Sequence, residues 1–484
     1  GIVLKPAVDV ANGKMLFRDT FSQYGALTIL VQAFAIKLFG SKLIVIRLLT
    51  ASVYGIIVVV QWLIFARILS IRASTIASAI WFGLAYFLLD FETMIIYPAS
   101  TVFPICSFLL GVYFLLLYIE RRRLYYAMVC GLVTACTFWM KTNFGIIQVG
   151  TMLPVLILLE FNEKERNCFR LLVAFLVGNC AIHLYFVTWL YVNQAFGDFW
   201  IQSIEFGYIF ARKCGSLAIE SFWINLMKCL LPIDTKHGFV SKLWVILPIA
   251  SCLMSCRMCF TIVQRRPIAL SGKIAFAISG MSTGLWFTYY PINSVYHMWM
   301  SSALSVGVLI SVISGITGSI RGHGRSIIRF SILFVLFYSD ISLRATESIS
   351  KISRFRNYVK IEKPAFLAGM YVPSNEAIVY DTLDELRRVY SEYGVINMTK
   401  DGLFALYDVN SNSFHKMYVN WRPFNAQLYP EYSSLLQWQI ASKSNIIISN
   451  EIENIEGYER VAIFPRVGKG DMRLPVVFYA PLMS

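Results

Sequence analysis

The sequence predicts an all-α polytopic membrane protein with a small α/β domain at its C-terminal end. Three observations lead to that class. The 484-residue chain is 57% hydrophobic and only 15% charged, against about a quarter charged in soluble domains. Apolar stretches of bilayer-crossing length, about 20 residues each, recur as far as residue 342. Beyond residue 345 the pattern changes to one amphipathic segment and several short β-branched or aromatic runs.

The elements follow in order. Residues 1–40 read as a first outer loop. Within it Ala26 to Phe39, broken by Lys37, is too short to span and is expected to lie along the membrane surface. Candidate spans then fall near 44–66, 74–91, 102–119, 125–140, 144–160, 169–192, 243–263, 274–290, 298–318 and 327–342, about ten in all. The tail from 345 to 484 forms the extracytoplasmic domain. There "NEAIVYDTLDELRRVYSEYG" reads as an amphipathic helix stopped by Gly394, and "GLFALYDV", "NIIISN" and "VVFYAPL" read as strands. Gly1 is not a start methionine, so an N-terminally shortened chain lacking its first transmembrane helix is expected.

The net charge of +15 does not point to nucleic acid, because its excess of bases lies among the apolar segments. Arg67 and Arg72, Arg121 to Arg123, Lys164 to Arg170, Arg265 to Lys273 and Arg321 to Arg329 occupy alternate loops. The intervening loops around 92–101 and 291–297 are short and nearly free of bases, with a single Lys141 between two spans, which is the positive-inside pattern. It places residues 1–40, the loop 193–242 and the tail on the outer face, and the compact loops suggest a bacterial inner membrane. The cysteines sit mostly in apolar surroundings. Cys256 and Cys259 form one CxxC with no second pair to complete a zinc site. The sequon at Asn397, Met398 and Thr399 is a match that arises readily by chance.

Ionisable groups at a membrane boundary cost about 2.5–3.5 kcal/mol each at the bilayer centre, so they are functional candidates by default. On the outer face these are Asp9, Arg18, Asp19, Arg47, Asp90, Glu92, Lys141, Glu205, Arg212, Lys213 and His297, with Asn143, Tyr289 and Tyr290 beside them. A carboxylate among cations at a membrane surface suits chemistry on an anionic lipid and a neutral hydroxyl. Structural roles compete with each assignment. Asp19 could cap the next helix, Arg47 could snorkel, Lys141 could be an interfacial anchor and His297 a satisfied histidine next to Trp299.

The stretch "ANGKMLFRDTFSQYGALTILVQAFAIKLFGSKLIVIRLLTAS" resembles the first outer loop and following helices of GT-C membrane glycosyltransferases. Gly13, Phe17-Arg18-Asp19, Tyr24-Gly25, Leu38-Phe39-Gly40 and Arg47 match that family's pattern in order, and "WMKTNFG" and "YYPINSVYHMW" look like its short outer-loop motifs. The subfamily resembled is that of polyprenyl-phosphate-dependent enzymes, such as protein mannosyltransferases and aminoarabinose transferases. The resemblance implies transfer of a sugar from a polyprenyl-phosphate donor to a glycan, lipid or protein acceptor, usually with inversion, in cell-envelope glycan or lipopolysaccharide assembly. It implies an acid of the first outer loop as general base, either Asp9 or an acid upstream of Gly1 with Asp19 in support. Arg18, Arg47 and Lys141 would hold phosphate, and Asp90, Asn143, Tyr290 and His297 would line the cleft. No nucleotide is implied, and dependence on a divalent cation is left open because relatives differ. Two rivals stand beside this reading. An O-antigen ligase or polymerase would use Arg212, Lys213 and His237 of the long loop, and a transporter would show repeated halves, which the sequence lacks.

Overall fold

A computed structural model describes residues 4–88, 99–161, 168–213, 238–264, 266–288, 295–316, 357–399, 407, 432–467 and 474–482. Asp90, Glu92, Tyr289, Tyr290, His237 and the candidate span 327–342 lie outside the described residues, as does most of "GLFALYDV".

The chain divides into two compact units. One gathers Gly1–Leu49, Trp189–Phe210 and Ile352–Ser484; the other comprises Thr50–Thr188 and Ala211–Lys351.

The helices run α1 (Leu4–Ala11), α2 (Ala26–Phe39), α3 (Leu43–Phe65), α4 (Ile71–Leu88), α5 (Ala99–Arg121), α6 (Leu124–Met140), α7 (Thr142–Phe161) and α8 (Cys168–Val192). Next come α9 (Phe196–Phe199), a π-helix (Trp200–Glu205), α10 (Phe206–Lys213), α11 (Gly238–Val263), α12 (Leu270–Phe287), α13 (Val295–Ser301) and α14 (Ser305–Ile316). Each candidate span up to 298–318 therefore coincides with one helix or a helix pair. Among the described residues, the four segments Leu43–Phe65, Thr101–Arg121, Thr142–Phe161 and Cys168–Val192 are long and apolar enough to cross a membrane. Helix α8 leaves Phe169, Val177, Leu184 and Tyr191 exposed. Apolar exposure of that extent suits a lipid-facing helix.

Small residues allow the helices of the second unit to approach. A Cβ at Gly131 of α6 would strike the carbonyl of Phe175, and one at Gly178 of α8 would strike the carbonyl of Met128. Asn179 Nδ2 donates to the Gly131 carbonyl at 3.2 Å across the same contact. This is the small-residue, polar-clasp packing of membrane helices. At the basic ends, Arg67 Nε meets Glu120 Oε1 at 2.8 Å and Arg122 Nη2 meets the fully buried Glu160 at 2.6 Å. Tyr118 donates to the same Glu160 oxygen at 2.8 Å. Arg122 takes a left-handed φ of 53°, which ends α5. Glu120 and Arg122, two residues apart, tie the end of α5 to the turn after α3 and to α7.

The tail folds around a sheet. Strands β1 (Tyr358–Lys360) and β2 (Tyr371–Pro373) pair antiparallel and precede α15 (Ser374–Val389). Strand β3 (Gly394–Met398) is followed by α16 (Tyr432–Ala441), β4 (Asn445–Ser449), β5 (Tyr458–Val467) and β6 (Leu474–Pro481). The four-stranded sheet has the order β3-β4-β6-β5, with β3 and β4 parallel and the other pairs antiparallel. A parallel pair needs a crossover, and α16 lies in it. Leu383 of α15 packs with Ile446 and Phe478 on one face; Leu436 and Ile440 of α16 pack with Ile447 and Tyr479 on the other. Cover on both sides explains why all of Asn445–Ser449 is buried. The amphipathic helix ends at Val389, and Gly394 begins β3 instead of stopping the helix. Asn397 of the sequon is buried in β3, where its Oδ1 accepts from the Thr399 N–H at 3.0 Å and its hydroxyl at 2.7 Å. The folded domain does not present this asparagine to solvent.

Candidate functional site

In the first unit the site is built on the opening loop. Asp9 is not in that loop: it lies in α1 with only 2% of its surface exposed. Its Oδ1 meets Lys5 Nζ at 2.8 Å and Lys14 Nζ at 3.2 Å, and its Oδ2 accepts from the Thr20 hydroxyl at 2.9 Å. A buried carboxylate with two ammonium partners is charge-compensated, and these contacts tie the end of α1 to the loop.

Asp19 is differently placed. Arg18 forms a two-pronged pair with it, Nε to Oδ1 at 2.8 Å and Nη2 to Oδ2 at 3.0 Å. The Met15 N–H also donates to Oδ2 at 2.8 Å. The side chains of Arg18 and Asp19 keep 43% and 33% of their surface exposed, so both reach solvent while paired. The hydrogen bond that Arg18 donates to Asp19 raises the Arg18 pKa. The helix-capping role does not hold: α2 begins at Ala26, with Gly25 at its N-cap and no side-chain cap bond.

The loop owes its shape to residues far along the chain. Phe17 takes φ 70°, a left-handed conformation that costs a non-glycine residue roughly 1–2 kcal/mol. Its ring is fully buried, edge-on to Phe199 with centroids 5.2 Å apart. Phe21 meets Phe206 similarly at 6.0 Å, and Arg18 Nη1 donates to the Asn193 carbonyl at 3.2 Å. Gln202, fully buried in the π-helix, accepts from the Ser22 N–H at 2.9 Å and donates to the Phe17 carbonyl at 2.8 Å. Sequence reasoning looked in this region to charged Glu205, which is exposed. An uncharged glutamine carries no sequence signal, and only the spacing of Phe199 and Phe206 hinted at a buried face.

Arg47, in the first turns of α3, directs Nη1 at Met370 Sδ, 3.7 Å away in the tail domain. Leu43 of the same helix end packs against the tail core. Arg47 is thus engaged with the tail domain rather than with the Arg18–Asp19 pair.

In the second unit Lys141 is the one extended residue between α6 and α7, with φ −157° and ψ 112°. Its N–H donates to the Thr137 carbonyl at 2.9 Å, and its own carbonyl accepts from Phe144 at 3.0 Å, so both helix ends are closed through its backbone. Nζ lies 5.0 Å from the Phe144 ring centre and 3.5 Å from the Thr101 hydroxyl. Burial pushes Lys141 down to about 8. Asn143 is half-buried in the first turn of α7. His297, half-buried in α13, is pushed down to about 3 by burial and by the charge of Lys141, so its imidazole is neutral at physiological pH. Helix α13 is anchored by two tryptophans: Trp81 and Trp299 each donate an indole N–H to the other's carbonyl, at 3.2 and 2.9 Å, with stacked rings 4.8 Å apart.

Among the described residues no three His, Cys, Asp or Glu side chains gather as a metal ion requires. The cations that face Asp9 and Asp19 are lysine and arginine side chains.

No protein-family profile and no curated protein sequence matches the chain. The fold is similar to solved structures of the oligosaccharyltransferase of Archaeoglobus fulgidus. In its complex with zinc and sulfate, the match has 13% identity and a TM-score of 0.54, covering 92% of this chain and 62% of that one. In its form tethered to an acceptor peptide containing the NVT sequon through a disulfide, the match has 13% identity and a TM-score of 0.50, covering 92% and 64%. The chain spans less than two thirds of the length of that enzyme. What it shares with this GT-C glycosyltransferase, across most of its own length, is the fold.

Proposed function

We propose that the protein is a membrane glycosyltransferase that moves a sugar from a polyprenyl-phosphate carrier to an acceptor hydroxyl on the outer face, with inversion. The observation that carries this reading is the Arg18–Asp19 pair, hydrogen-bonded to the backbone at Met15 and Asn193 yet exposed to solvent, in a chain with an oligosaccharyltransferase-like fold. The acceptor oxygen attacks the anomeric carbon, and its proton passes to Asp19, whose side chain keeps 33% of its surface exposed. The bond from the anomeric carbon to the phosphate oxygen breaks, and its electron pair leaves with the lipid phosphate. Arg18 supplies positive charge for that growing anion, and Lys141 is assigned to donor binding. Asp9, enclosed by Lys5, Lys14 and Thr20, is assigned to holding the loop. Asn143 and His297, with Asp90 and Tyr290, are assigned to lining the donor site, and Arg47 to joining α3 to the tail. The acceptor belongs to the envelope glycans, lipids or proteins, and the membrane is a bacterial inner membrane.

The test is transfer from polyprenyl-phosphate hexoses and pentoses by the full-length protein in membranes. Asp19→Asn is expected to lower turnover by about 10²–10⁴, the usual weight of a general base. Lys141→Ala is expected to raise the KM for the donor. Unchanged transfer in both variants overturns the assignment.

A further inference from the structure

We infer that Gln202 is a positioning residue that sets the geometry of the Arg18–Asp19 pair, a role that rests on the reading of Asp19 given above. The π-helix Trp200–Glu205 follows the membrane helix α8 and the short α9 in the chain. π-Helical turns are rare, and they recur where a side chain must be aimed at a functional element. Here the aimed group is the Gln202 amide. It bonds to the backbone on either side of Arg18 and Asp19, at the Phe17 carbonyl and the Ser22 N–H, 185 and 180 residues away in sequence.

The arrangement resists substitution for a chemical reason. One end of the amide must donate and the other must accept, and an amide alone provides both at this length. Phe17 is the residue whose left-handed backbone turns its carbonyl to Gln202. Without that bond, a buried carbonyl and a buried N–H lose their partners, and the strained φ of Phe17 loses its compensation. The rings of Phe199 and Phe206 flank the contact in sequence and hold Phe17 and Phe21. Ser203 adds a hydroxyl bond of 3.4 Å to the Tyr24 carbonyl. The segment thus grips the loop from Phe17 to Tyr24, while the Asp19 side chain keeps a third of its surface exposed.

The experiment compares Gln202→Met, Gln202→Glu, Asp19→Asn and the double variant Gln202→Met/Asp19→Asn in the full-length protein. Two readouts are taken: hydrogen exchange of the Phe17–Ser22 amides, and transfer from the polyprenyl-phosphate hexose or pentose on which the wild type is active. Exchange in the loop is expected to rise at least tenfold in both Gln202 variants, with α5 to α8 unchanged. Turnover is expected to fall about 10- to 100-fold with the donor KM within threefold, and the double variant to be no slower than Asp19→Asn alone, because a residue that acts through Asp19 has nothing left to position. Loop exchange at the wild-type level, turnover within twofold of wild type, or losses that multiply in the double variant would each overturn the role. An inert Asp19→Asn would instead count against the reading of Asp19, and the exchange data would still decide whether Gln202 holds the loop. Gln202→Glu serves if Gln202→Met does not fold, since it keeps the shape while an acidic oxygen replaces the donor NH2.

Discussion

Lys141 shows how one residue's place in the chain sets its charge. Closing two helix ends with its backbone leaves its side chain pressed between Phe144 and Thr101, and desolvation lowers its pKa to about 8. It remains cationic at neutral pH and loses its proton as pH rises through about 8. Donor binding is therefore expected to weaken steeply between pH 7 and 9, measured as the KM for the polyprenyl-phosphate sugar. Stability should move the other way. The unfolded chain keeps the lysine proton up to its ordinary value, so between about 8 and 10.5 the unfolded state binds more protons and folding becomes more favourable as pH rises. A parallel loss of binding and stability across that window would contradict the assignment. His297 does not share in this titration, since it is neutral throughout the range.

At the level of elements, the contact of α6 with α8 depends on what is missing from Gly131 and Gly178. Their hydrogens let backbone touch backbone, and a methyl at either site meets a carbonyl that cannot move without its helix. Gly131→Ala should destabilise the protein by about 1–3 kcal/mol, the usual cost of forced overpacking. Gly150, in α7, has open space around it, and Gly150→Ala should be neutral or stabilising by up to about 1 kcal/mol. Thermal unfolding of both variants in detergent checks the contrast. Comparable losses at the two sites would show that helix propensity, not close packing, governs them. The same helices were legible in the sequence because their apolar runs match bilayer thickness, and their basic ends carry the arginines. The pairing of those ends was not legible, since Arg67 with Glu120 and Arg122 with Glu160 are juxtaposed only by packing.

For the whole molecule, the compact units do not follow chain order. Residues from the N-terminal end, from Trp189–Phe210 and from the tail share one unit, with the long apolar region between them in the other. Sidedness is where the loop charges make a whole-molecule prediction. Single cysteines at positions 19, 141 and 297 should all react with a membrane-impermeant thiol reagent from the outer face. Labelling of any one of them only from the cytoplasmic side would contradict the outer-face assignment drawn from the loop charges.

The mostly helical, apolar character of the chain was legible in composition, because about 20 apolar residues in a row are stable only in a bilayer or a large core. The β-patterned tail and the charged pair in "FRDT" were visible for similar reasons: residue alternation and paired charges at the edge of an apolar run are local signals. The roles of the individual acids were not local. Asp9 and Asp19 read alike along the chain, and only packing encloses one with Lys5 and Lys14 while leaving the other a third exposed. Gln202 was silent for the same reason. Its two hydrogen bonds reach backbone groups that become its neighbours when segments some 180 residues apart meet, and hydrogen-bond geometry between distant segments is a property of the folded chain alone.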